Sequence, residues 1–467
     1  MGAREVSVPG PTGLPLLGSV RELRRDSLGA FLAAQREFGD LCRFVAGPPG
    51  LRNEVYAVFS ATGAQQVLAT DSANFRKDNL FYQEVRESFG NGLLTSQDAD
   101  YLRQRRLVQP LFTRRRVDGY ARAMTIEAAA LIGRWSDSPD ATVDLVPDMA
   151  DLALRTVARI LFGTDVGRAV AVVERCFPIL GEYVLRRGFS PANPPRAWPT
   201  PANRRAAAAT EELYAVCDAI IAGRVVNGRT QESAPKSTRE QTCDLLTLLT
   251  QAQSEQEEAF GPAELREQVL VFLLAGHETT ATSMAFALHL LAGHPKEQEL
   301  ARQEVESVLA GRVPTAADLD RLPYLTQVLK ESMRLYPAAP IIGRRSVEAR
   351  EIGGMTVPAE SDVMVAPWVI HRNPAYWPEP ERFRPDRFTS QAEQDRPRYA
   401  WLPFGGGPRA CIGQHFSMLE STLALAMILQ SFELEAVDRE VPVETGITLR
   451  AKGPARARLR KLDGNGA

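Results

Sequence analysis

The chain has 467 residues, enough for two or three ordinary domains, yet 44% hydrophobic content without a long polar linker points to a single large domain over 1–467. Lysine and arginine number 55 against 57 acids, and the formal charge of −2 excludes the basic excess of a nucleic-acid or anionic-membrane binder. The five cysteines, Cys42, Cys176, Cys217, Cys243 and Cys411, are odd in number and lack C-x-x-C spacing. That argues against a disulfide framework or structural zinc and fits a reducing cytoplasm.

Met1 to Gly18 carries Pro9, Gly10, Pro11, Gly13 and Pro15, with neither the basic nor the apolar region of a signal peptide. Glu54 to Ser60 alternates as a strand would, as do Ile352 to Val357 and Ser361 to Ala366. Elsewhere the helical period dominates and no internal repeat occurs, so the expected fold is mainly α with a small β portion. Phe189 to Pro201, with five prolines around Trp198, and the polar stretch Asn227 to Gln241 read as surface connections.

From Pro262, suited to a first helical position, to Gly293 and Pro295, about 30 residues read as one helix roughly 45 Å long. It is apolar all round, as a buried helix is, but His277, Glu278 and a run of threonines interrupt it too often for a membrane span. At its centre Ala275 and Thr279 share a face with Phe272 one turn earlier, and Gly276 leaves room for a ligand or a bend. Thr279 either points its hydroxyl into that room or bonds back to the Ala275 carbonyl.

Glu331 and Arg334 then stand at i and i+3 on one helix face, a spacing that alone means a surface ion pair. Pro337 and Pro340 end that helix, and Ala338 to Ile342 is an apolar strand or loop running into Gly343-Arg344-Arg345. Last comes Phe404-Gly-Gly-Gly-Pro-Arg-Ala-Cys411-Ile-Gly413, which presents one cysteine at the mouth of a helix from Gln414 to Phe432. A thiol there sees unpaired N–H groups and the positive end of the dipole, and both favour the thiolate. Gly405, Gly406 and Gly407 let backbone approach the sulfur, and Arg409 is placed to neutralise an acidic group on whatever the sulfur holds.

The spacing Phe404-x-x-Gly-x-Arg409-x-Cys411-x-Gly413 resembles the haem-binding loop of the cytochrome P-450 family, and with the other motifs the resemblance covers nearly the whole chain. It implies a haem-thiolate fold and a monooxygenase that inserts one atom of dioxygen into a bulky apolar small molecule, such as a macrolide or terpenoid secondary metabolite. The cofactor is then haem b, iron protoporphyrin IX, with Cys411 as the thiolate that pushes electron density onto the metal. Phe404 and Gly405 pack at the sulfur, and Arg409 and Arg344 meet propionates, with Arg345 nearly as good as Arg344. Tyr101, where the family has tryptophan, and Arg105 one turn on grip the propionates as well. Glu278 and Thr279 resemble the acid and threonine that deliver protons and hold the oxygen. Glu331, Arg334 and Arg387, the last within Phe383-Arg-Pro-Asp-Arg387-Phe388, resemble the buried structural network of the family.

By the same resemblance the substrate pocket is lined by Phe81, Leu93, Leu94, Phe272, Ala275, Ala338, Ile341 and Ile342, and the segment 189–201 forms a distal lid. The resemblance further implies a cytoplasmic monomer with no membrane span and no nucleic-acid partner. Its electrons come ultimately from NAD(P)H through a ferredoxin or flavodoxin, docking over Arg103, Arg106 and Arg114 to Arg116. Alternatives are a haem-thiolate peroxygenase or isomerase, against which the Glu278-Thr279 pair argues, and a non-catalytic haem sensor. A cysteine hydrolase is a third, but none of the five histidines, His415 included, is motif-placed as its base.

Overall fold

A computed structural model describes residues 7–14, 18–47, 52–137, 142–162, 167–190, 193–231, 249 and 260–462. Contacts divide the chain into two compact units, interleaved in sequence. The first takes residues 1–79, 326–414 and 438–454, and the second 80–325, 415–437 and 455–467.

The first unit is organised by a five-stranded sheet in the order Leu41–Ala46, Asn53–Val58, Asp362–Val365, Ile342–Ser346, Phe75–Arg76. The pairs are antiparallel except for Asn53–Val58 with Asp362–Val365, which run parallel with Val55 opposite Asp362. Side chains of Tyr56, Val58, Phe75, Ile342, Val363 and Val365 form its core with Val67, Leu68, Tyr399 and Leu402. The expected run Ile352 to Val357 is instead two short strands, Arg350–Ile352 and Met355–Val357, because Gly353 and Gly354 both take positive φ and turn the chain back. The helix Val20–Phe38 buries Leu28, Phe31 and Ala34, with the Phe31 ring 5.0 Å from that of Phe44.

The second unit is helical around the long segment Pro262–Gly293, which packs along Leu145–Phe162. Its start is set by Pro262 and by the Gly261 amide, which donates to the Glu264 carboxylate at 3.0 Å. Gly276 has a packing reason: a Cβ there would lie 2.9 Å from Val157 Cγ2, so its space belongs to the neighbouring helix rather than to a ligand. By length and composition this helix could cross a membrane, but 67% of its most apolar window is buried inside the protein. A three-stranded sheet, Thr142–Asp144, Arg456–Lys461 and Phe432–Ala436, closes one side. Asn227 to Gln231, expected in a loop, continue the helix Pro201–Gln231, while 232–241 lie outside the described residues.

Candidate active site

In the first unit the cysteine loop runs from Leu402 to the helix Gln414–Ser431. The Gly405 amide donates to the Leu402 carbonyl at 3.0 Å, and the Cys411 amide to the Phe404 carbonyl at 2.9 Å. These two bonds fold the loop back on itself. Gly405 and Gly407 take φ of +68° and +66°, the left-handed region that glycine tolerates best. A Cβ on Gly407 would fall 1.8 Å from the Leu68 carbonyl oxygen, and one on Gly406 would lie 2.4 Å from the Tyr399 ring. The glycines thus make room for the loop's own supports rather than for the sulfur, which Gly413 approaches instead, 3.9 Å from a Cβ at that position.

Among the described cysteines Cys411 alone is exposed; Cys42, Cys176 and Cys217 are buried. Burial pushes the Cys42 and Cys217 thiols up to about 12. They are inert by the same physics that would make an exposed, cation-flanked thiol reactive. Three basic side chains gather by Cys411. Arg344 is buried at 3% exposure, and Arg409 and Lys77 are partly buried. Desolvation first, then the charges of Arg344 and Arg409, hold the Lys77 ammonium well below its usual range, and the Cys411 sulfur opposes them. Arg345 instead faces carboxylates, with Glu360 at 3.1 Å and Asp362 at 3.5 Å. The Phe404 ring meets Trp401 edge-on at 6.2 Å. Ile342 lies within 3.8 Å of a Cβ at Gly405, and the Ala338 carbonyl accepts from the Leu449 amide. Ile341 is partly exposed.

The Glu331–Arg334 pair is fully buried in the same unit, at 2.7 and 2.8 Å, with Arg387 3.4 Å from Glu331. Arg334 also donates to the carbonyls of His371, Pro380 and Arg382, and the Arg384 amide donates to Glu331 at 2.9 Å. Every lobe of the carboxylate and guanidinium that burial strips of water finds a partner of this kind, which is what a buried charge pair requires. His371 and Trp377, which also grip this region, escaped the sequence reading. Only the apolar run ending at His371 hints at burial there, and nothing hints at its partners.

In the second unit the middle of the long helix is unlike its flanks. Ala275 is exposed and Gly276, Glu278, Thr279 and Thr282 are partly exposed, in a helix whose other central residues are buried. The Thr279 hydroxyl donates to the Ala275 carbonyl at 2.7 Å, and Thr282 and Ser283 repeat the bond to Glu278 and Thr279. Phe272 is buried with its ring 5.6 Å from Phe112. The buried His277 is structural: its Nδ1 lies 2.6 Å from the Leu273 carbonyl and its ring stacks on Phe177.

Tyr101 and Arg105 share a face of the helix Asp98–Val108, Tyr101 buried and Arg105 partly so. The Leu93 amide donates to Gln268, and Leu94 beside it is partly exposed. Phe81 stacks on Phe189, at the start of the proline-rich connection, with centroids 5.9 Å apart. His415 turns to Asp118 at 2.8 Å. Of the basic residues that were candidates for docking, Arg103 pairs with Glu264 and Arg114 with Asp320, and Arg106, Arg115 and Arg116 are exposed.

A large helical fold with an exposed cysteine on a glycine-rich loop, ringed by basic side chains, defines the haem-thiolate class of oxygenase. The sequence matches the cytochrome P450 family model over residues 8–455, and the chain belongs to that family. It is 36% identical to cyclooctatin synthase of Streptomyces melanosporofaciens, over 91% of this chain and 90% of that one. It is 34% identical to cyclooctat-9-en-7-ol 5-monooxygenase of the same organism, over 91% and 89% of the two chains. Pentalenene oxygenase of Streptomyces avermitilis is 31% identical over 96% of each. The crystal structure of the cytochrome P450DA heme domain superposes with a TM-score of 0.85 at 26% identity, covering 98% of this chain and 99% of that one. The protein is therefore a haem-dependent monooxygenase that takes electrons from a redox partner and acts on a small molecule. The residues present suit the group: a sulfur donor for the metal, and three basic side chains for the two carboxylates of protohaem.

Proposed function

We propose that this chain hydroxylates or epoxidises a polycyclic terpenoid, with Cys411 as the axial thiolate of haem b. The observation that carries the substrate class is the set of three relatives at 31–36% identity over nearly full length, whose names concern cyclooctatin, cyclooctat-9-en-7-ol and pentalenene. The haem, when bound, supplies the oxygen-activating chemistry. Arg344, Arg409 and Lys77, which lie by Cys411, hold its propionates, which favours Arg344 over Arg345, and the family resemblance adds Tyr101 and Arg105. Phe404 and Gly405 pack at the sulfur, and the basic side chains beside Cys411 favour its thiolate.

Thr279 keeps its hydroxyl proton on the Ala275 carbonyl at rest, and rotation of that hydroxyl frees a donor for the substrate side. Glu278, partly exposed, recharges it with a proton from solvent. Phe81, Leu93, Leu94, Phe272, Ala275, Ala338, Ile341 and Ile342 supply the apolar walls that orient a hydrocarbon and exclude water. The connection 189–201 serves as the lid over them. Electrons come from NAD(P)H by way of a ferredoxin or flavodoxin docking near Arg106, Arg115 and Arg116. The protein works as a cytoplasmic monomer.

The test is the carbon monoxide difference spectrum of the reduced, haem-loaded protein, with Cys411→Ala beside it. A red-shifted thiolate-type Soret band in the wild type, absent from the variant, is expected. A histidine-type band that survives in Cys411→Ala overturns the ligand assignment. For substrate, titration with a polycyclic diterpene is expected to shift the ferric Soret band at micromolar concentration. A fatty acid that does so while the diterpene does not would reject the terpenoid reading.

A further inference from the structure

His371 is fully buried, and both of its ring nitrogens are committed. Nε2 lies 2.9 Å from the Leu402 amide nitrogen, which can only donate, so Nε2 carries the lone pair. Nδ1 therefore carries the proton and donates to the Arg334 carbonyl at 3.2 Å. Arg334 returns the contact, its Nη1 donating to the His371 carbonyl at 2.8 Å. Desolvation, then the charges of Arg334 and Arg372, hold the imidazole well below its usual range, which preserves this neutral tautomer.

Leu402 is where the cysteine loop begins. Its carbonyl accepts from Gly405, and two residues further on the Phe404 carbonyl accepts from the Cys411 amide. The neighbouring residues are pinned from the same side, since Trp377 Nε1 donates to the Ala400 carbonyl and Trp401 Nε1 to the Lys330 carbonyl, both at 3.3 Å. These two bonds hold carbonyl and side chain. Only the His371 bond holds the amide at the point where the chain departs into the loop.

We propose that His371 is a positioning residue for the sulfur, linking the buried Glu331–Arg334 pair to the Cys411 loop through the Leu402 amide. The proposal rests on Cys411 as the axial ligand. A tilt of the imidazole moves Leu402, and with it the turn whose Phe404 carbonyl holds the Cys411 amide. A loop freed at Leu402 would hold the sulfur less firmly where haem iron would bind and leave it open to protonation.

Two substitutions separate the two nitrogens. Asparagine can present its amide near the Nδ1 position but has nothing at Nε2, whereas the longer glutamine can present an oxygen there. In the haem-loaded, full-length protein, the rate at which the reduced carbon monoxide complex converts from a thiolate-type to a thiol-type Soret band reports the sulfur directly. His371→Asn is expected to convert about tenfold faster than wild type or more, since a buried amide is left without an acceptor, with a raised midpoint potential. His371→Gln is expected to stay within about threefold of wild type.

A stable thiolate-type band in both wild type and His371→Asn overturns the proposal and leaves the Cys411 assignment standing. Equal loss in the two variants, or failure of both to fold by circular dichroism, shows that the ring is needed for packing, and overturns it too. A wild type without the thiolate-type band overturns the ligand assignment and this proposal together.

Discussion

Glu420 sits in the helix that follows the cysteine, 1% exposed, with no hydrogen bond of good geometry to either carboxyl oxygen among the described residues. Desolvation raises its pKa to about 8, against the lowering effect of the nearby Thr156 hydroxyl. The folded protein therefore keeps this carboxyl protonated at neutral pH, while the unfolded chain ionises it from about pH 4.5 upward. Between those two values the folded state binds the extra proton, so this residue's contribution falls as pH rises and levels off above about 8. The slope approaches about 1.4 kcal/mol per pH unit within that window. Glu420→Gln, with no proton to lose, is expected to melt with a shallower pH dependence, gaining on wild type from pH 5 to pH 8. Parallel calorimetric melting curves for the two holoproteins would reject this reading of the site.

At the scale of elements, residues 193–200 of the proline-rich connection are tied down rather than loose. Arg187, at the end of one helix, donates to Glu84 of the helix Leu80–Phe89 at 2.8 Å, and Arg196, within the connection, pairs with the same carboxylate oxygen. Arg196 also reaches Ser88, and the Asn203 amide donates to the carbonyls of Pro195, Arg196 and Trp198. One largely buried carboxylate therefore neutralises two arginines, and losing it strands both. Glu84→Gln is expected to raise amide exchange in 193–200 about tenfold or more and to speed substrate association, readable by hydrogen exchange mass spectrometry and stopped flow. Unchanged exchange in that segment would mean the prolines alone hold it.

The contrast with the long helix explains what a linear chain reveals. Pro262 and Gly293 carry local start and stop signals, so that element was legible to the residue. Glu84 carries none, because its meaning depends on two arginines more than a hundred residues away. The same holds within the first unit. The cysteine loop announces itself through spacing, whereas Lys77 and His371 look ordinary until the sheet and the buried network bring their partners to them. Gly276 was legible as a demand for space, but not that Val157 is what fills it.

For the whole molecule, dependence on a redox partner has a direct consequence for turnover. On the proposed reading, the chain mixed with NADPH alone is expected to give product at background, and addition of a ferredoxin and its reductase to raise the rate by about a hundredfold, with a gain that falls with salt where docking is electrostatic. Turnover with NADPH alone would refute a separate donor, and a salt-independent rate would refute a charged docking face.

The parallel pairing of Asn53–Val58 with Asp362–Val365 joins residues some 300 positions apart, Val55 lying opposite Asp362. During synthesis at about 5–20 residues per second, the earlier strand leaves the ribosome roughly 15–60 seconds before its partner exists. For that interval Val55, Tyr56, Ala57 and Val58 present an unpaired apolar edge, the kind of surface on which nascent chains associate wrongly. Yield of this protein in a foreign host is therefore expected to rise with chaperone capacity and with slower elongation, which expression at lowered temperature with and without added chaperones would check.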